Sequence, residues 1–181
     1  MSSSAFTPAV LTVSSGAGSG SGEKNYITNP SMASATTGWN VVGDFTLTRT
    51  TAASELPREY TTGTGIKLVA TSGTQSTADY MYFDFNLDDV DLNRKLKIQW
   101  SQKDVGTYAA GQLAVIITSQ ANRTTALHTP VTTAIPAVDG DFVTSFDSGS
   151  TAALSLVIRA TADMTTGDGI VISDVIVGLV S

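Results

Sequence analysis

Two stretches of strict two-residue alternation limit what this chain can fold into more than any other feature. From Ala78 to Leu87, the residues Met81, Phe83, Phe85 and Leu87 fall on one side, and Tyr80, Tyr82, Asp84 and Asn86 on the other. From Arg94 to Gln102, the residues Leu96, Ile98 and Trp100 oppose Lys95, Lys97, Gln99 and Ser101. Successive strand side chains point to opposite faces, so both stretches read as half-buried β-strands. The polar connection Asp88-Asp89-Val90-Asp91-Leu92-Asn93 has hairpin length. Placing Leu87 opposite Arg94 sets Phe85 by Leu96, Phe83 by Ile98 and Met81 by Trp100 on one face. The same register puts Asp84 beside Lys97 and Tyr82 beside Gln99 on the other, a favourable cross-strand charge pair. A slip of one residue would turn the aromatic row into water, so the pattern predicts an antiparallel hairpin in this register.

Further strands are predicted at Val41 to Arg49, Ile66 to Thr71, Gln112 to Thr118, Phe142 to Phe146, Ala152 to Ala160 and Ile170 to Leu179. Gly, Pro, Asn and Asp punctuate them, at Gly63 to Gly65, Asp139-Gly140, Ser148 to Ser150 and Gly167 to Gly169. Short strands spaced in this way form a sandwich or a barrel. The last strand is apolar on both faces apart from Ser173 and Asp174, which predicts a strand that is central in a sheet or covered on both sides. Trp39 and Trp100 are assigned to the core.

Composition agrees with this and removes several functions. The chain has 181 residues, enough for one core. Charged residues make up only 14% of it, while short side chains are abundant, a β-leaning balance. Cysteine is absent, so no disulfide or thiolate metal site is available. The formal net charge of -6 with scattered Lys and Arg argues against nucleic acid, whose phosphates demand clustered cations. No apolar run is long enough for a membrane-spanning helix, and the opening Met-Ser-Ser-Ser lacks the parts of a signal peptide. The expectation is synthesis in the cytoplasm, followed by assembly elsewhere.

Ser14 to Gly22, SSGAGSGSG, offers no side chain to a core and reads as a linker. It divides the chain into an N-terminal arm and linker, residues 1–22, and a body, residues 23–181. Within the arm, Phe6, Val10, Leu11 and Val13 are the apolar residues able to dock, and Ala9 to Val13 is β-prone enough to add a strand to a neighbouring subunit.

The stretch Gly22-Glu23-Lys24-Asn25-Tyr26-Ile27-Thr28-Asn29-Pro30, followed by Gly38-Trp39, resembles the opening of jelly-roll modules such as the family 4/9 carbohydrate-binding modules, and especially versions found in tail-fibre and other virion proteins of bacteriophages. The resemblance continues through Gly65-Ile66-Lys67-Leu68, Tyr82-Phe83-Asp84-Phe85 and Leu96-Lys97-Ile98 to Ile172-Ser173-Asp174-Val175. It implies an all-β, antiparallel jelly-roll β-sandwich behind an extended N-terminal arm. It also implies a non-enzymatic virion component, a capsid decoration or part of a tail fibre, that assembles with itself as a homo-trimer and with other virion proteins. The alternative it carries is a module that binds host surface glycan. A structural calcium ion belongs to the same resemblance, with Asp174 as the candidate ligand. Two departures weaken that site: Ser31-Met32-Ala33 replaces a Glu- or Asn-rich stretch, and Ser173-Asp174 replaces paired Asp residues.

Sugar binding requires exposed aromatic rings flanked by amides and carboxylates. Tyr80, Tyr82, Asp84, Lys97 and Gln99 share one face in the predicted hairpin, and Tyr108, in the loop Gly106 to Gly111, is placed to close over it. Other features carry less. His128 is the only histidine and has no Cys to join it in a metal site. Asp88, Asp89 and Asp91 lack the spacing of a calcium loop and read as a solvated turn. Asn122-Arg123-Thr124 matches a glycosylation acceptor, which means nothing without a secretory signal. No facing carboxylate pair or nucleophile beside a base is evident, so the chain reads as a non-enzyme.

Overall fold

The computed structural model describes residues 24–32, 35–57, 63–127 and 133–179. They form two antiparallel sheets around one core, a jelly-roll β-sandwich, and no α-helix occurs among them. The strands are β1 (Trp39–Val42), β2 (Phe45–Thr50), β3 (Gly65–Ala70), β4 (Tyr80–Asn86), β5 (Lys95–Val105), β6 (Leu113–Ser119), β7 (Asn122–Ala126), β8 (Thr133–Ala134), β9 (Gly140–Asp147), β10 (Ala153–Ala160) and β11 (Gly169–Leu179). The first sheet runs β1-β4-β10-β6-β7, with β8 also paired to β6; the second runs β2-β3-β11-β5-β9. The predicted arm, with Phe6, Val10, Leu11 and Val13, lies outside the described residues, as does His128.

Alternation identifies the faces correctly. Met81, Phe83 and Phe85 of β4 and Leu96, Ile98 and Trp100 of β5 are buried in the core, with Trp100 stacked on Phe142 at a centroid distance of 4.1 Å. Trp39 is buried as well, against Phe83. Each fully buried large apolar side chain stabilises the sandwich by about 1.5–3 kcal/mol relative to exposure. β11 is central in its sheet, one of the two placements its doubly apolar pattern predicts.

The predicted hairpin is wrong. β4 pairs with β1 and β10, and β5 pairs with β11 and β9, so the two aromatic rows enter the same core from opposite sheets. The connection between them crosses from sheet to sheet and is pinned on its way. A 3₁₀ turn at Asp89–Asp91 buries Asp91, whose carboxylate accepts from the Tyr26 hydroxyl and whose carbonyl accepts from Ser148 Oγ at 2.9 Å. Asn93 then takes a left-handed φ of 56° and donates its N–H to the Gly149 carbonyl at 2.7 Å. Asp91 is therefore a structural anchor, not part of a solvated turn. Val41 to Arg49 is likewise two strands: Gly43, at φ 77°, turns the chain from the first sheet into the second.

The Lys24 to Asn29 segment docks beside the last strand. Val177 donates its N–H to Asn25 Oδ1 at 3.0 Å, and Asn25 Nδ2 donates to the Val175 carbonyl at 3.0 Å. The register of β11 against β5 shifts between Ser173 and Ile176. Asp174 is in that bulge at φ 53°, and the extra residue moves the inward positions from Ile170 and Ile172 to Val175 and Val177.

Candidate functional site

The outward side of the first sheet carries the candidate site. Register places Tyr82 between Asn40 of β1 and Val157 of β10, Tyr80 between Val42 and Arg159, and Asp84 beside Ser155. On the next strand Ala114, Ile116 and Thr118 continue these rows. Tyr80 and Tyr82 are half-buried, with ring centroids 6.0 Å apart and planes tilted by 53°.

Although they point away from the core, Ser155, Val157, Ile116 and Thr118 are buried, so something covers half of this face. Part of the cover comes from β7, which pairs with β6 at Thr118↔Ala126 and Ser119↔Asn122, leaving Arg123, Thr124 and Thr125 as a bulge. Asn122 Oδ1 shapes the bulge by accepting from the Thr124 N–H at 3.1 Å and the Thr124 hydroxyl at 2.9 Å. Strands β7 and β4 are three pairings apart, about 14 Å at normal strand spacing. Arg123 nevertheless reaches Asp84 through two bonds, Nη2 to Oδ2 at 2.5 Å and Nε to Oδ1 at 3.2 Å. Its guanidinium carbon also lies 4.2 Å from the centre of the Tyr82 ring. The bulge must therefore lean over the sheet. Donating these hydrogen bonds to the Asp84 carboxylate holds the Arg123 guanidinium even more firmly protonated than usual.

Arg159 makes the second cationic contact with this cover, donating from Nη1 to the Thr124 carbonyl at 3.0 Å. Its Nε is buried without an acceptor. The face thus combines a tyrosine pair, an exposed Asn40, one carboxylate and two guanidinium groups.

Of the residues expected to share a glycan face, Tyr80, Tyr82 and Asp84 do share one. Lys97 and Gln99 do not: they lie on the outward side of the second sheet, where Lys97 is opposite Ser145 and Gln99 opposite Val143. The error follows directly from the mistaken hairpin. Tyr108 is also misplaced by that reading. It is buried in the core and donates its hydroxyl to the Ile135 carbonyl at 2.9 Å, and burial pushes its phenol up to about 12. Sequence reasoning missed Arg123 and Arg159. The parity of β10 marks Arg159 as outward, but only the bulge reveals what Arg123 reaches.

Calcium does not fit at Asp174. The residue is exposed, although enough of its carboxyl is shielded for burial to raise it above the usual carboxylate range, and no group of three or more His, Cys, Asp or Glu able to hold a metal occurs among the described residues. Calcium takes six to eight oxygen ligands, several of them carboxylates in most protein sites.

Solved structures that share this fold include carbohydrate-binding jelly rolls and a phage tailspike domain. One is the enzymatically active domain of tailspike protein 4 from bacteriophage CBA120, with a TM-score of 0.58 and 15% identity over 86% of this chain. This chain spans 21% of that structure's length. A putative sugar binding protein from Bacteroides thetaiotaomicron has a TM-score of 0.58 and 11% identity, covering 87% of this chain and 100% of its own. The Clostridium thermocellum xylanase 10B modules CBM22-1 and GH10, complexed with xylohexaose, have a TM-score of 0.54 and 18% identity, covering 80% of this chain and 26% of theirs. At these identities the likeness is one of fold. No family model matches the sequence, and no curated protein does.

Proposed function

We propose that this chain is a carbohydrate-binding domain whose glycan lies on the outward face of the first sheet. The observation that carries the reading is the pairing of Tyr80 and Tyr82 on that face, beside Asn40, Asp84, Arg123 and Arg159. Aromatic rings supply apolar contact to pyranose faces, and the amide, carboxylate and guanidinium groups supply hydroxyl partners. The fold shared with a carbohydrate-binding module and a putative sugar binding protein supports it. The role is binding rather than catalysis.

A glycan array followed by calorimetry tests this. Tyr80→Ala and Tyr82→Ala should each weaken binding about tenfold or more, equivalent to about 1.4 kcal/mol, with circular dichroism unchanged. Binding that survives both substitutions would move the site elsewhere, and no glycan binding at all would remove the reading.

The setting we propose is a bacteriophage particle, with the domain assembled as a homo-trimer and attached to other virion proteins through residues 1–22. The tailspike likeness favours this setting. Phe6, Val10, Leu11 and Val13 would supply the apolar contacts of the arm. Light scattering on the full chain and on residues 23–181 should give a trimer for the former and smaller species for the latter. A monomer in both forms would count against arm-driven assembly.

A further inference from the structure

We propose that the glycan held on this face is acidic, a sugar carrying a carboxylate, and that Arg159 receives that carboxylate. The inference rests on the reading that this face binds sugar, and it names the class of sugar.

The two guanidinium groups on the face are not equivalent. Arg123 is already neutralised, since Asp84 takes both Nε and Nη2 in a fork and the Tyr82 ring covers one of its faces. Arg159 has no carboxylate partner among the described residues. It donates one bond, to a neutral carbonyl, and its buried Nε donates none. A planar guanidinium with most of its donors uncommitted is the group best matched to a carboxylate, which it can bind through two parallel N–H bonds.

Position supports the assignment. Arg159 is directly opposite Tyr80, so a sugar ring resting on Tyr80 would bring a ring carboxylate into reach of Arg159. Charge supports it too. Asp84 pairs with Arg123, which leaves Arg159 as the guanidinium of this face without a bound carboxylate among the described residues. That unpaired charge is a short-range partner for one carboxylate, not a source of long-range attraction, since the chain as a whole is negative. It does not suit a nucleic acid, whose closely spaced phosphates would meet the negative remainder of the surface.

The test uses the full chain and matched ligands: oligosaccharides bearing uronate or sialate, the same oligosaccharides with the carboxyl reduced to the alcohol, sulfated neutral oligosaccharides, and a single-stranded oligonucleotide. The acidic forms should bind at least tenfold more tightly than their reduced counterparts, and the difference should shrink at high salt. Arg159→Gln should abolish the preference, and Arg159→Lys should keep part of it. Equal binding of acidic and reduced forms would overturn the inference while leaving the glycan reading intact. Binding of neither form would overturn both. A preference for sulfate or for the oligonucleotide over carboxylate would also overturn it, as would an acid preference that Arg159→Gln leaves unchanged. The comparison of acidic with reduced ligand needs no variant, so the inference stays testable even if Arg159→Gln fails to fold.

Discussion

Arg123 and Asp84 fasten the β7 bulge to β4 across two intervening strands, through bonds of 2.5 and 3.2 Å. The side chains are 25% and 35% exposed, so the pair is screened less than a surface pair but is not buried. Arg123→Ala should lower stability by about 1 kcal/mol, the upper end for such pairs. Asp84→Ala should cost more, because the fully buried Ser155 donates its hydroxyl to the same carboxylate. Urea unfolding of both single variants and the double variant checks this. Amide exchange in residues 122–126 should quicken in all three.

Two glycines share one turn geometry. Gly43 at φ 77° and Gly106 at φ 67° each leave room for a carboxylate, Asp79 and Asp168 respectively, where a Cβ would collide. Gly106→Ala and Gly43→Ala should each destabilise by about 2 kcal/mol or more, since the left-handed backbone alone costs a non-glycine residue about 1–3 kcal/mol. Gly73→Ala, with nothing near its Cβ, should stay within about 0.5 kcal/mol of the native chain. Equal losses at all three positions would contradict the steric account.

At low pH the chain should lose the contribution of Asp168. The Thr107 hydroxyl and N–H hold its carboxyl below the usual carboxylate range. The unfolded state then binds the proton first, so this stability is present above about pH 4 and disappears as pH falls through the lower native value. Urea midpoints measured from pH 7 down to pH 2 should show a flatter acid limb in Asp168→Asn.

At high pH the order reverses. Burial, assisted by the hydrogen bond to Asp91, pushes the Tyr26 phenol up to about 12, and burial does the same for Tyr108. The native state keeps those protons after an unfolded tyrosine, near pH 10, has lost its own. Stability should therefore be full below about pH 10 and fall towards pH 12. Tyr108→Phe should flatten that limb, which denaturant midpoints across the range would reveal.

Asp174 occupies a left-handed backbone, and partial shielding raises its carboxyl above the usual carboxylate range. Asp174→Gly should therefore leave stability unchanged or raise it by about 0.5 kcal/mol. A chelator should not move the melting temperature of the native chain. A lower melting temperature in chelator, absent from the variant, would restore Asp174 as a cation ligand.

Much of the sandwich is legible in the residues. The parity of Met81, Phe83 and Phe85, and of Leu96, Ile98 and Trp100, identifies core positions, and the doubly apolar run from Ile170 places β11 in the middle of a sheet. The site is legible only in part. Tyr80, Tyr82 and Asp84 are together because a single strand carries them, whereas Arg159 enters through strand pairing and Arg123 through a bulge. Lys97 and Gln99 belong to the expected face only through a β4–β5 pairing that does not exist.

By itself the sequence determined which side of β4 and of the first half of β5 is dry, because a period of two is a local property of the backbone. The tertiary structure alone decided which strands are neighbours. Two strands with equally good inner faces satisfy the same pattern whether they are side by side or on opposite sheets, and the choice rests on distant groups. Tyr26 and Ser148 hold the 87–94 connection in its crossing path, and β10 supplies β4 with the partner that β5 does not. Which charges meet on the outward face follows from that closure, and no local pattern encodes it.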